Sequence, residues 1–140
     1  MPRRRVTDRP TVVTSHIKGL TVAVVVLALA VGLSLYRDAH ARTLDGVAQR
    51  DARLAQTAIE GFYIGHHTYA ADPRDLAKVD PRLASSHLLT ATGTAETYTV
   101  SVTSGAPGGA AFSLTRSSDG SVVRTCDRAG HEGCPPAGVW

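Results

Sequence analysis

The feature that most constrains this chain is the run from Leu20 to Tyr36, 17 residues in which only Thr21 and Ser34 are clearly polar. As a helix it spans about 26 Å, slightly short of the ~30 Å hydrocarbon core of a bilayer. It is apolar on every face, so it lacks the polar stripe of a core helix in a small soluble domain. In the 18 residues through Lys18, Arg3, Arg4, Arg5, Arg9 and Lys18 stand against Asp8 alone; from Arg37 onward there are 10 basic and 11 acidic residues. The basic excess is therefore a topology signal, placing the N-terminus in the cytoplasm and the rest outside. It is not a nucleic-acid footprint, because no aromatic or second basic cluster accompanies "PRRR". A cleaved secretion signal is the competing reading. "AHA" at Ala39 to Ala41 fits a signal peptidase, but Arg37 and Asp38 separate it from the apolar run.

Beyond the run the pattern becomes amphipathic. Leu44, Val47, Asp51, Leu54, Ala58 and Phe62 recur at three- and four-residue steps, and Ala48, Ala55 and Ile59 widen the stripe. No proline interrupts Leu20 to Ile64. The two segments together predict one helix, about 67 Å long, with Gly65 as its stop. The stretch 65–96 reads as a connector. Asp72-Pro73-Arg74-Asp75 carries an N-cap, a first-turn proline and a carboxylate three residues after the cap, and Asp80-Pro81-Arg82 repeats the signal. These aspartates have capping work that explains their spacing without catalysis.

The C-terminal part, 97–140, is strand-like. "TYTVSVT" alternates strictly, "AAFSLTR" places Phe112 and Leu114 on one side, and "SSDG" precedes a third short strand, "SVVRTC". A three-stranded meander with one apolar face needs a partner, and the helix stripe supplies it. Leu54, Ala58 and Phe62 are expected to face Val100, Val102, Phe112 or Leu114. The fold class is α+β: a leader (1–19), a membrane-embedded segment (20–36), an amphipathic helix (37–64), the connector, and a meander packed on the outer helix.

Cys126 and Cys134 are the two cysteines. In an oxidising compartment their default is a disulfide. Zinc held by Cys126, His131 and Cys134 is the alternative, but a closed structural site prefers four ligands. Asp119 and Asp127 could help to hold calcium, yet two aspartates do not make a site. The sequence has no Gly-x-Ser-x-Gly elbow, no phosphate-binding glycine loop and no His-Glu-x-x-His. No enzyme and no cofactor are expected.

Four stretches together resemble type IV pilin-like proteins, closest to the major pseudopilins of type II secretion systems. "KGLTVAVVV" is similar to the prepilin start, in which a basic residue and glycine precede Phe-Thr-Leu-Ile-Glu. "DARLAQTAIEGFYIGHHTYAAD" resembles an alanine-rich helix that ends in a Tyr-Tyr pair and a Gly-Thr-Tyr-Pro turn. "YTVSVTSGAPGGAAFSLTRSSDGSVVRTC" resembles the family meander, and "CDRAGHEGCPPAGVW" a C-terminal disulfide loop. The resemblance runs from Lys18 to Trp140. It implies cleavage by a prepilin peptidase after Gly19, Leu20 as first mature residue, and assembly with other pilin-like subunits through a helix bearing Thr21. Val24 departs from the pattern: it stands where the family has glutamate, thought to pair with a neighbour's N-terminal amine. That departure leaves three possibilities, a minor subunit at a filament tip, an uncleaved relative that stays in the membrane, or a pilin-like fold kept for a different role, and a minor or terminal subunit is the expectation. A single-pass anchored module that binds a partner protein is the alternative.

Overall fold

The computed structural model describes residues 13–131 and 133–140, with side-chain surroundings from Val22 onward. The basic leader before Val13 lies outside the described residues. The chain divides into two compact units, residues 1–36 and 37–140. Helix α1, Val13–His66, contributes to both.

In the first unit every described side chain, from Val22 to Tyr36, is exposed. Ten of them are large and apolar, among them Leu27, Leu29 and Leu35 at about two-thirds exposure. No described side chain of the segment is therefore buried within its own unit.

The second unit is α+β. After α1 come α2 (Pro73–Val79), a single 3-10 turn (Pro81–Ser85), and strands β1 (Thr90–Gly93), β2 (Tyr98–Thr103), β3 (Ala111–Arg116) and β4 (Val122–Cys126). The strands form one antiparallel sheet in the order β1-β2-β3-β4. The sheet thus has four strands where the sequence predicts three. The extra one, Thr90-Ala91-Thr92-Gly93, lay inside the expected connector. It shows no apolar alternation, because its residues are exposed or half-buried throughout, and its identity comes from pairing with β2. Gly93 is required there, since a Cβ would overlap the carbonyl of Tyr69.

The core lies between the outer part of α1 and one face of the sheet. Tyr98, Val100 and Val102 of β2 stand beside Leu114 and Phe112 of β3, in the register Val100 opposite Leu114 and Val102 opposite Phe112, all buried. On the opposite face hydroxyls pair across strands, Ser113 with Ser101 at 2.9 Å and Thr99 with Thr115 at 3.1 Å. The strict alternation of β2 is what separates these faces.

The helix face that meets the sheet is made of alanine. Ala48, Ala52, Ala55, Ala58 and Ile59 are buried in the core; Leu54 and Phe62 pack at its margin, and Val47 is 40 % exposed. The buried centre is thus turned away from the Val47–Leu54 side of the predicted stripe. Large residues on the sheet and small ones on the helix interdigitate, and alanine lets the helix backbone come close enough for Tyr98 and Phe112 to fill the space.

The capping expectations hold. Asp72 Oδ1 accepts the N–H of Arg74 and of Asp75, and Asp80 Oδ1 that of Arg82. The stop of α1 falls two residues later than expected: the helix ends at His66, and His67, not Gly65, takes a left-handed φ of 54°.

Candidate functional site

The predicted site residues fall into two groups. Gly19, Leu20 and Thr21 lie in α1, but their side-chain surroundings lie outside the described residues. Val24 is 59 % exposed. Between Val22 and Tyr36 the helix offers an all-round apolar surface with small residues at Ala23, Ala28, Ala30 and Gly32. Near the N-terminus, α1 is long and apolar enough to cross a membrane. With no charged side chain on it, this surface favours burial away from water.

The structure brings the second pair together. Cys126 and Cys134 form a disulfide, with their Cα atoms 5.9 Å apart, which leaves neither thiolate for zinc. In the chain-entropy picture a loop this short contributes about 2.5 kcal/mol. Asp119 and Asp127 are already occupied as backbone acceptors. Asp119 Oδ1 accepts the N–H of Ser121, and Asp127 Oδ1 that of Ala111, each at 2.8 Å. Among the described residues no three His, Cys, Asp or Glu side chains gather as metal ligands.

Two further clusters decide how the second unit is held, and sequence reasoning did not find them. The first ties the disulfide loop to α1. Asp45, almost fully buried, accepts the N–H of Gly133 at 2.9 Å, while Gln49 Nε2 donates to the Gly133 carbonyl at 2.9 Å. One helical turn therefore brackets both ends of a single loop residue. That residue must be glycine, because a Cβ would sit 2.6 Å from Asp45 Cβ. The second oxygen, Oδ1, has no hydrogen-bond partner among the described residues. The only available signal was an aspartate recurring on an alanine-rich helical face.

The second cluster centres on Glu60. Its carboxylate accepts the phenol O–H of Tyr69 at 2.9 Å and of Tyr98 at 3.0 Å, with Arg116 Nη1 at 3.6 Å. Tyr69 stacks on Tyr63 with ring centroids 4.4 Å apart. Helix, connector and strand β2 are thus joined at one carboxylate. Burial raises the Tyr98 pKa well above the ordinary phenol value, and the hydrogen bond to Glu60 adds to the effect. Tyr69 is raised for the same two reasons. Deprotonating either would remove the donor and set a phenolate against the carboxylate.

At the other end Trp140 closes the core edge. Its indole Nε1 donates to the Thr125 carbonyl at 2.8 Å, and its ring meets Phe112 edge-on at 5.6 Å. These arrangements fix a fold. Set against known proteins, the chain matches no family model, no curated protein and no solved structure.

Proposed function

We propose that this chain is a pilin-like structural subunit of a type IV pilus or type II secretion-like filament, acting as a minor or terminal member. The observation that carries the reading is the division of labour along α1. Residues 22–36 expose apolar side chains all round, whereas residues 48–59 bury an alanine face under a four-stranded sheet. A subunit that assembles through its helix needs one helical segment free for neighbours and another committed to its own domain. In this reading the leader stays in the cytoplasm and the second unit lies outside the membrane. A prepilin peptidase cuts after Gly19, and Leu20 becomes the first residue. The disulfide agrees with an oxidising exterior. Val24 weakens self-assembly, because the family's glutamate, which would compensate a neighbour's ammonium in the membrane, is missing.

The second reading is a single-pass anchored module that binds a partner without assembling, and Val24 favours it. The two part at the N-terminus. The chain is expressed with its neighbouring pilin-like proteins and peptidase, and the intact mass of the purified protein is measured. A start at Leu20, abolished by Gly19→Trp, and crosslinks from positions 24–33 to pilin-like subunits are expected. An original N-terminus together with no such crosslinks leaves the anchored module.

A further inference from the structure

The helix-facing row of the sheet extends one strand beyond what α1 covers. Val122 and Arg124 of β4 stand opposite Arg116 and Leu114, in the row that holds the buried Leu114, yet both are exposed. Between α1 and β4 this leaves a notch of about 330 Å³, with Gln56 on one wall, Val122 and Arg124 on the other and Trp140 at its end. Two guanidiniums lie against the Trp140 ring at that end. Arg53 of α1 lies 5.3 Å, and Arg124 of β4 5.9 Å, from the centroid of the Trp140 ring. Among the described residues neither has a carboxylate partner. The nearby Asp119 is held in its turn by Ser121, and Arg116 faces Glu60.

The backbone of β4 is open on the same side. β4 is an edge strand. Its Cys126 N–H leaves the sheet and donates to Gly138 at 2.9 Å, while Thr125 stands opposite Val139 in an antiparallel bridge. In an antiparallel strand the N–H and C=O of alternate residues point to the same side. Val122 and Arg124 therefore present their backbone groups where Cys126 does. The tail occupies the Cys126 end of that edge, and among the described residues no strand lies beside Val122. Exposed Val123 and Val139 flank it. Natural sheets blunt such an edge unless it is used.

We propose that this edge binds an extended acidic segment of a partner protein. The segment pairs with the β4 backbone beside Val122 and brings a carboxylate to the Arg53 and Arg124 guanidiniums at the Trp140 end. Main-chain bonds supply affinity, and the alternate side chains reaching the notch supply selectivity. A carboxylate gains charge-assisted hydrogen bonds from both guanidiniums. A second copy is the poorer occupant. Two β4 edges paired across a two-fold axis would bring Arg124 near its own equivalent, and like charges across strands repel. The proposal is independent of the filament reading, since a tethered module would use the same edge.

Trp140 is the sole tryptophan, so its fluorescence reports on the site directly. The full chain in detergent micelles is titrated with an end-blocked heptapeptide of alternating glutamate and valine. A saturable emission shift is expected, at least tenfold weaker for the lysine–valine peptide and at least fivefold weaker for the Arg53→Gln/Arg124→Gln variant. Val122→Pro removes an outward N–H without touching the ladder to β3 and should also weaken binding at least fivefold. Hydrogen exchange on the unsubstituted chain checks the same point. The Val122 amide should slow on binding and the Val123 amide should not. No saturable shift, an equal response to the lysine peptide, or an unchanged Val122 exchange rate overturns the proposal. A concentration-dependent shift without peptide would assign the edge to a second copy, which also overturns it.

Discussion

Asp45 and Gly133 lie 88 positions apart in the chain, and the carboxylate of one accepts the backbone N–H of the other at 2.9 Å. The contact fastens a disulfide loop to the helix that carries the sheet, and it leaves no room for a side chain on Gly133. Gly133→Ala is expected to cost about 1–3 kcal/mol, as overpacking against a buried residue does. Asp45→Ala removes the acceptor and should cost a similar 1–3 kcal/mol. The double variant should cost less than the sum, because alanine at 45 removes the carboxylate that the new methyl meets. Chemical denaturation of the full chain in micelles checks all three. Additive losses would mean that the two residues do not act on each other.

The Glu60 cluster makes an alkaline prediction. Tyr98 and Tyr69 have folded pKa values raised by burial and by their bonds to Glu60. A raised value means that the folded chain keeps its proton where the unfolded chain has lost it. The contribution is therefore complete below the ordinary phenol value of 10.0 and is lost as pH climbs above it. Melting temperature should fall steeply above pH 10. Tyr98→Phe should lose about 1 kcal/mol at neutral pH, from one missing hydrogen bond, and should flatten that alkaline fall. An alkaline limb of equal slope in Tyr98→Phe would remove Tyr98 as its source.

The alanine face gives a third expectation. Ala55 has no exposed surface, whereas Val47 is 40 % exposed. Ala55→Leu should therefore destabilise by about 1–3 kcal/mol through overpacking, although leucine is an excellent helix former. Val47→Ala should change stability by less than about 0.5 kcal/mol. The reverse order would place the sheet on the valine side of the helix, and thermal denaturation of the two variants separates the cases.

That helix also marks what could be read from the sequence. Its existence was legible because an unbroken periodic pattern without proline has few alternatives. Its buried face was not, because periodicity locates apolar residues while packing selects by size. Alanines opposite Tyr98 and Phe112 won over Val47. β2 announced itself through strict alternation, whereas β1, with threonine, alanine and glycine, became a strand by pairing. The disulfide followed from there being two cysteines in the chain. Asp45 and Glu60 were hidden for a common reason: Gly133 lies 88 residues from the one and Tyr98 lies 38 from the other, and a lone carboxylate on a helix looks solvated until its partners are placed.

Val24 carries the last prediction. It sits in the apolar segment and is exposed, so whatever surrounds the helix surrounds this side chain. Val24→Glu places a carboxylate there. Unpaired in hydrocarbon, a charge costs about 2.5–3.5 kcal/mol at a helix centre on insertion scales, and less toward the ends. Paired with the N-terminal ammonium of a neighbouring helix, much of that cost is offset. In the filament reading Val24→Glu expressed alone should insert no better than the unsubstituted chain. With pilin-like neighbours and peptidase present, its crosslinks to them should rise several-fold. That gain should be lost when the peptidase is left out, because no neighbour then carries the free N-terminal amine that offsets the carboxylate. A tether predicts only the cost: lower insertion in both settings and no rise in crosslinking. Membrane fractionation followed by crosslinking from position 28 distinguishes the two.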